Sequence, residues 1–477
     1  MRLLPWLTAS LGVLVRSAAA IELDLDNEES IKAAASTIAF GLVRYYTGNY
    51  TGDTPGNLPD PYFWWEAGAM FGTLVDYWAL TGDESYNAIT LQAMVHQGTE
   101  KGDFMPRNQT RTLGNDDQGF WGMAAMSAAE NNFPNPPPDQ PQWLALAQSL
   151  FNQWASRWEP ETCGGGLRWQ IFAFNNGFNY KNSISNGCFF NIAARLARYT
   201  GNQTYAEWAA RIWDWEEGIG LITPDYAVHD GVGINPLNGE CLVGSMDTNQ
   251  WTYNAGIFLH GAAVMYNLTN GSADWRARVD GLLSNTINTF YVTPEPGSPA
   301  GENPVLRELC EGPQNFCNID QRSFKGYLTR WLASTSLLAP HTQPIIQPLL
   351  QSSAVAAAHA CSGPTQPPDF KGHTGTACGF RWTTAGGFDG LVGVGEQMNA
   401  LSAVMYTLAA RPGAPEPLTA DTGGTSKGNY AAQGRAMEDE ETGMAYATIT
   451  IRDRVAAGFA TSAIALGVVA GCAFVIM

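Results

Sequence analysis

The chain has 477 residues, of which 45% are hydrophobic and 15% are charged, so it is long enough to bury a large core. Its formal net charge of −18 at pH 7 argues against nucleic-acid binding, which needs a basic surface. The six histidines form no obvious cluster and no phosphate-binding motif is present, so we expect no metal and no other cofactor.

The first 20 residues predict a secretory signal peptide. Arg2 carries the positive charge, residues 3–15 form an apolar run, and residues 18–20 are alanines that suit cleavage. A buried N-terminal helix is the alternative, and the acidic residues that follow argue against it. We therefore expect a secreted chain that begins at Ile21.

Helical periodicity fills twelve segments, and strand-like alternation is nearly absent. The segments are residues 28–46, 64–80, 85–98, 117–130, 141–157, 183–199, 204–217, 250–268, 273–290, 320–337, 343–360 and 389–410. Within them, a helix end, a Thr-Gly or Thr-Asn turn and a new helix recur at 78–90, 198–210 and 266–278, which indicates repeated helical hairpins. This number of hairpins predicts a closed all-α toroid over residues 21–411, and an irregular α bundle is the alternative.

Two adjacent acidic residues, Asp116 and Asp117, lie at the predicted start of the fourth helix, in the stretch GNDDQGFWGMAAMSAAE (114–130). Glycosidic-bond cleavage needs one ionised carboxylate and one that holds a proton. Repulsion between neighbouring carboxylates separates their pKa values in this way. The bland alternative is that one of these residues only caps the helix.

Eight cysteines are present, and Cys472 falls in a segment that we expect to be removed, so seven remain. In an oxidising compartment this number predicts up to three disulfides and one free thiol. We expect Cys188, which lies in an apolar helical run, to be free and buried. The pairs that we favour, although sequence does not prove them, are Cys163–Cys241, Cys310–Cys317 and Cys361–Cys378.

Five N-x-S/T sequons are expected glycosylation sites in a secreted protein. They are Asn49, Asn108, Asn202, Asn267 and Asn270.

The composition changes after residue 411. Residues 412–443 are rich in Gly, Pro, Ser and Thr and predict a flexible stalk. An apolar, uncharged run then fills residues 455–477 with nothing basic after it, which is the layout of a GPI-attachment signal. We expect a lipid at Gly443, removal of residues 444–477, and location at the outer face of the plasma membrane and in the cell wall. A single transmembrane anchor is the alternative.

Five segments of the chain together resemble the glycoside hydrolase family 76 α-1,6-mannanases, and within that family the fungal GPI-anchored branch involved in cell-wall assembly. The similarity covers nearly all of residues 25–410. The segments are residues 114–130, 163–187, 194–202, 250–263 and 320–331.

This resemblance implies an (α/α)6 barrel with a central groove for α-1,6-linked mannose. It also implies a retaining mechanism, with Asp116 as the nucleophile and Asp117 as the general acid/base. The donor would be α-1,6-mannan or the mannoside core of a GPI anchor, and a β-glucan is the candidate acceptor if the enzyme transfers sugars. We expect a monomer that reaches the membrane only through its lipid.

Aromatic side chains that can stack on sugars, and polar groups amid apolar helices, are the candidates for substrate binding. Core packing or helix capping is the alternative at each position. The candidates are Trp64, Trp65, Trp121, Trp169, Gln170, Tyr180, Lys181, Asn182, Tyr253, Asn254 and Asp320.

Two other function classes stay open at this point. A mannan-binding wall protein with the same barrel would lack catalysis, although both aspartates are present. An inverting enzyme would place its carboxylates farther apart, on different helices, where Glu66, Asp320 or Asp389 could serve.

Overall fold

The computed structural model describes residues 20–99, 101–312, 316–363, 369–411 and 413–429. The expected signal sequence, except its last residue, and the expected GPI-attachment residue Gly443 with its propeptide lie outside these ranges. Among the residues that are described, no helix combines the length and the apolar character needed to cross a membrane.

The described part of the chain contains twelve α-helices, in the number and order that the sequence predicts. They are α1 (Glu28–Val43), α2 (Trp64–Thr81), α3 (Asn87–Gly98), α4 (Asn115–Glu130), α5 (Trp143–Arg157), α6 (Ser183–Thr200), α7 (Gln203–Ile219), α8 (Thr252–Leu268), α9 (Ala273–Phe290), α10 (Phe324–Leu338), α11 (Gln343–Ala360) and α12 (Val394–Ala409).

The helices form two concentric rings. The even-numbered helices contact one another in chain order, and α12 contacts α2, which closes the inner ring. The odd-numbered helices lie outside, with α1 on α12, α5 on α4, α7 on α6 and α9 on α8. This arrangement confirms the (α/α)6 barrel, and it places the first turns of all the inner helices at one end.

Small residues let the inner helix α4 pack on every side. A Cβ atom on Gly122 would lie 2.4 Å from Leu150 Cδ2, and one on Gly119 would lie 2.5 Å from Cys188 Sγ. Both distances are well inside van der Waals contact, so only glycine allows this spacing between α4, α5 and α6. Large aromatic side chains, including the fully buried Trp143, fill the layer between the rings.

Short strands and disulfides hold the loops at the ends of the barrel. Strand β1 (Tyr180–Asn182) pairs antiparallel with β2 (Gly231–Gly233), and β3 (Tyr291–Val292) pairs with β4 (Val305–Leu306). All three expected disulfides are present, and Cys188 is free and buried, so the favoured pairing is confirmed.

The prediction of a flexible stalk from residue 412 is wrong for residues 413–429, which we name the C-terminal strap. The strap packs on the barrel: the amide of Leu418 donates to Glu130 O at 2.9 Å, and Ser426 Oγ accepts from the amide of Leu144 at 2.9 Å. A Cβ on Gly424 would lie 2.2 Å from the Tyr199 hydroxyl. Glycine in this segment therefore allows the backbone to pack closely against the barrel. A glycine-rich composition is equally compatible with a flexible chain, so composition alone does not separate the two.

The last helix begins five residues later than the sequence predicts. Asp389 neither caps it nor lies in the groove described below. Its carboxylate accepts backbone amides of Phe380, Arg381 and Leu391 and so organises the turn before α12.

The five sequons have different surroundings. Asn49, Asn108 and Asn270 are exposed. Asn202 is half-buried and caps α7, and Asn267 accepts a hydrogen bond from Arg198 Nε at 2.8 Å. The first three therefore remain the better candidates for glycosylation.

Candidate active site

A groove of about 480 Å³ opens at the end of the barrel where the inner helices begin. Aromatic and acidic side chains dominate its wall. The lining residues are Phe63, Trp64, Trp65, Gln109, Thr112, Leu113, Asp116, Asp117, Phe120, Trp169, Gln170, Tyr180, Asn182, Asp230, Tyr253, Asp320 and Phe324.

The two adjacent aspartates occupy the first turn of α4 and both reach the groove. Asp117 Oδ2 accepts the backbone amide of Gly114, the N-cap residue, at 2.7 Å. Asp117 therefore caps the helix, as the capping alternative expects, and it also lines the groove. Asp116 Oδ1 accepts the backbone amide of Asp117 at 3.1 Å, which holds the Asp116 side chain against the first turn of the helix.

Residues 159–170, which we name the glycine loop, attach to the start of this helix. Asn115 donates its backbone amide to Trp169 O and its Nδ2 to Arg168 O, both at 2.8 Å. Arg157 Nη1 donates to Asn115 Oδ1 at 2.9 Å and to Gln118 Oε1 at 2.6 Å. The residue directly before the aspartate pair is thus held on three sides.

The surroundings give the two carboxyl groups different properties. Burial raises the pKa of Asp116 well above its ordinary value and the charge of Asp117 adds to this rise, while hydrogen bonds from backbone amides and the Trp169 side chain oppose it. Burial also raises the pKa of Asp117 to about 7, helped by the charge of Asp320 and opposed by the Gly114 amide. The pair therefore retains a proton in mildly acidic solution.

Aromatic side chains line the groove on several sides. Tyr253 and Phe324 stack face to face with centroids 3.8 Å apart. Trp65 packs against Phe120 at 4.6 Å, and Phe63 is 62% exposed at the rim. Such faces suit the apolar surfaces of sugar rings.

Polar groups with defined partners flank the aspartates. Tyr180 donates its hydroxyl to Asp230 Oδ2 at 2.7 Å. Burial raises the pKa of Asp320, and a hydrogen bond from the Trp65 side chain lowers it. Both carboxyl groups lie in the wall of the groove, where they can accept sugar hydroxyls.

Three of the predicted substrate-binding residues do not line the groove. Trp121 is fully buried, stacks on Trp64 at 5.3 Å and donates its indole N–H to Trp64 O. Lys181 is fully buried because alternate residues of a strand point to opposite faces, and its neighbours Tyr180 and Asn182 face the groove. Asn254 is fully buried in the first turn of α8, next to Tyr253 in the groove wall.

The structure brings the other predicted residues together with several that the sequence analysis missed. Trp64, Trp65, Trp169, Gln170, Tyr180, Asn182, Tyr253 and Asp320 all line the groove. Phe63 directly precedes Trp64 and Trp65, and this position in the sequence could have indicated that it lines the groove. Asp230, Gln109 and Thr112 lie in connecting segments, so helical periodicity carried no information about them.

Comparison with known proteins agrees with this geometry. The sequence profile described as "Glycosyl hydrolase family 76" matches residues 30–421. The mannan endo-1,6-alpha-mannosidase DCW1 of Saccharomyces cerevisiae is 47% identical over 465 residues, which cover 96% of each chain. The mannan endo-1,6-alpha-mannosidase DFG5 of the same yeast is 40% identical and covers 93% of this chain and 92% of its own.

Solved structures show the same fold. The crystal structure of Dfg5 from Chaetomium thermophilum in complex with glucosamine is 44% identical, covers 86% of this chain and 97% of its own, and superposes with a TM-score of 0.76. The α-1,6-mannanase of Salegentibacter sp. HEL1_6 is 19% identical, covers 80% and 100%, has a TM-score of 0.59, and supports the fold alone. The resemblance noted in the sequence is confirmed, and the chain belongs to glycosyl hydrolase family 76.

Proposed function

We propose that this protein is a retaining endo-α-1,6-mannosidase or transglycosidase that acts on α-1,6-linked mannose in the fungal cell wall. The observation that carries the proposal is the pair Asp116 and Asp117, placed in the first turn of an inner helix and open to an aromatic groove. Two relatives that are at least 40% identical over nearly the whole chain are named mannan endo-1,6-alpha-mannosidases.

In the first step, the ionised Asp116 attacks C1 of the mannose that donates the scissile bond. Asp117 gives its proton to the departing O6, so the C1–O6 bond breaks as the glycosyl ester forms. In the second step, Asp117 takes a proton from water or from a sugar hydroxyl, whose oxygen attacks C1 and releases Asp116. Two inversions give overall retention.

The hydrogen bonds support this division of roles. Donors to a carboxylate favour its ionised form. Asp116 accepts backbone amides and a hydrogen bond from the Trp169 side chain. Asp117 accepts the Gly114 amide and faces the charge of Asp320, which raises its pKa further. The hydrogen bonds to Asp116 favour its ionised form, but they oppose burial and the charge of Asp117, which raise the pKa of Asp116 further. The role of Asp117 as proton carrier is the one that the family resemblance implies.

The acceptor decides between hydrolysis and transfer, because both outcomes use the same carboxyl groups. A GPI lipid at Gly443 would hold the enzyme at the membrane, where it could move mannoside-linked donors onto wall β-glucan. The secretory signal that the sequence predicts would bring the enzyme to this location. Sugar transfer requires an acceptor to reach the glycosyl ester before water does.

Product analysis tests the proposal. Residues 21–429, which include the strap, would be incubated with an α-1,6-mannooligosaccharide, with and without a β-1,3-glucan oligosaccharide. Shorter mannosides alone indicate a hydrolase, and mannosyl-glucan products indicate a transglycosidase. A folded protein that binds the mannoside but releases no product would instead support the mannan-binding alternative.

A further inference from the structure

Lys181 has an unusual environment for a charged side chain. It is fully buried, and its Nζ donates to four backbone carbonyls, those of Glu159, Thr162, Gly165 and Gly166, at 2.5–3.3 Å. A lysine ammonium has three hydrogens, so four carbonyls share them. The side chain therefore gathers the first half of the glycine loop around a single positive charge.

The rest of the glycine loop connects this charge to the catalytic helix. Three residues after Gly166, the carbonyl of Trp169 accepts the amide of Asn115, the residue that precedes Asp116. The Trp169 ring lies beside Asp116: a Cβ on Gly114 would lie 2.3 Å from Asp116 Oδ1 and 3.3 Å from Trp169 Cδ1, and the Trp169 side chain lowers the pKa of Asp116. The amide of Trp169 in turn donates to Tyr180 O at 2.7 Å, in the strand that carries Lys181.

Other contacts hold the loop without reaching the aspartates. Arg168 pairs with Glu159 through Nε at 2.8 Å, and Cys163 is bonded to Cys241. A Cβ on Gly166 would lie 2.3 Å from the Trp215 ring, so the loop packs tightly against that ring. The amide of Leu167 also donates to Asn186 Oδ1 at 2.7 Å. These contacts would keep the loop attached if the ammonium were removed, whereas Lys181 Nζ is the donor that binds the carbonyls of residues 165 and 166.

We propose that Lys181 is a positioning residue of the active site, whose ammonium fixes the glycine loop so that Trp169 meets Asp116 and the first turn of α4. This inference rests on the proposed function, in which Asp116 is the nucleophile. The burial of Lys181 lowers its pKa to about 7, so the ammonium stays charged in acidic surroundings. The charged groups near it are Glu159, Glu161 and Arg168, all on the loop.

The test measures how the position of Trp169 affects the pKa of Asp116. The groups that face Asp116 are Asp117, Cys188, Tyr253 and Trp169. Of these, the Trp169 side chain lowers the pKa of Asp116. If Lys181→Met moves Trp169 away, the pKa of Asp116 rises, and the acidic limb of the kcat/KM profile shifts to higher pH.

The expected result is a decrease in kcat/KM of about 10–100-fold in Lys181→Met, since small misplacements of reacting groups cost this much. The acidic limb should shift upward, Trp169→Phe should shift it by the same amount, and the double variant should show no further shift. If the limb of a folded Lys181→Met stays in place, or if the two shifts add, the proposal is overturned.

A second buried lysine supplies the matched control. Lys325 Nζ donates to Phe380 O and pairs with Glu311 at 2.8 Å, away from the glycine loop. Lys325→Met should lower Tm without moving the acidic limb. If it shifts the limb as Lys181→Met does, the effect is general destabilisation and the proposal is wrong.

Two further variants keep the test decisive. Lys181→Arg retains the positive charge and should shift the acidic limb less than Lys181→Met does. If Lys181→Met does not fold, Lys181→Arg takes its place in the comparison with Trp169→Phe and the double variant. Asp116→Asn separates the two hypotheses. If Asp116→Asn keeps its activity, the proposed function is wrong. If Asp116→Asn is inactive and the acidic limb of Lys181→Met does not move, only the positioning role of Lys181 is overturned.

Discussion

The backbone amide of Asp117 donates to Oδ1 of Asp116 at 3.1 Å, so the second catalytic candidate helps to position the carboxylate of the first. Asp117 in turn accepts the Gly114 amide, which ties both side chains to the start of α4. Because the helix backbone sets this geometry, neither side chain has to be ordered when substrate binds. Preorganisation of this kind lowers the cost of reaching the transition state.

The first prediction concerns the alkaline limb of the activity profile. Asp117 has a pKa of about 7 in the folded protein, raised mainly by burial, and must be protonated to act as the acid. We expect kcat/KM to fall as pH rises through about 7. A profile of kcat/KM against pH on an α-1,6-mannooligosaccharide measures this, and an activity unchanged up to pH 9 would contradict the assignment.

The same raised pKa affects stability with a definite sign. Between an unfolded pKa of about 3.9 and the folded value of about 7, the unfolded chain has lost the proton that the folded protein keeps. Asp117 therefore makes the protein less stable as pH rises through this window. Asp117→Asn should be more stable than wild type at pH 7 and should lose this advantage at pH 4, as thermal unfolding at both values would report.

Azide rescue distinguishes the roles of the two aspartates. With an aryl α-1,6-mannobioside, Asp117→Asn should still form the glycosyl ester, and azide should convert it to the α-mannosyl azide. Azide added to Asp116→Asn should replace the missing nucleophile and give the β-mannosyl azide. Nuclear magnetic resonance of the products identifies the anomers, and the opposite pairing would reverse the assignment.

An exposed aromatic residue at the groove rim should affect binding without affecting folding. Phe63 is 62% exposed and lines the groove. Phe63→Ala should raise KM for longer mannosides, and a tenfold rise corresponds to about 1.4 kcal/mol of lost binding. Phe316 is 69% exposed and does not line the groove, so Phe316→Ala is the matched control. Equal KM values for the two variants would remove Phe63 from the binding site.

The strap should be part of the folding unit. Its backbone amides donate to carbonyls at the ends of two helices, Leu418 to Glu130 O in α4 and Ala420 to Tyr199 O in α6, and each such hydrogen bond is worth about 1 kcal/mol. A protein ending at residue 411 should therefore unfold at a lower temperature than one ending at residue 429. Gly424→Ala places a Cβ against Tyr199 and should therefore lower the Tm of the longer protein. The shorter protein lacks this residue. Identical Tm values for the two lengths would show that the strap adds no stability.

A buried ion pair at the far end of the barrel should be costly to break. Arg195 Nη2 lies 2.6 Å from Glu130 Oε2, and both side chains are more than nine-tenths buried. Glu130→Ala leaves the guanidinium without its partner and should destabilise the protein by about 3–5 kcal/mol. Lys32→Ala, which removes a partly exposed pair with Glu28, should change the unfolding free energy little. Denaturant unfolding of both variants makes the comparison.

Helix number, the two short-range disulfides and the aspartate pair could be predicted because each has a local signal, whereas Cys163–Cys241 joins residues 78 positions apart. Periodicity marks a helix wherever one face is buried, and Cys310 and Cys317 are close in sequence. The predicted start of the last helix was wrong because tertiary contacts, and not local ones, decide where that helix begins. Asp389 resembles a helix cap by position, yet its carboxylate satisfies backbone amides of a turn that the sequence does not mark.

The sequence by itself determined the type of fold and the two candidate catalytic residues, since both depend on short-range patterns and on residue type. Only the tertiary structure decided which polar and aromatic residues face the groove. Trp64 and Trp121 have the same chemistry, but one lines the groove and the other is buried beneath it. The direction of a side chain depends on how helices from distant parts of the chain pack together, and no local pattern encodes that packing.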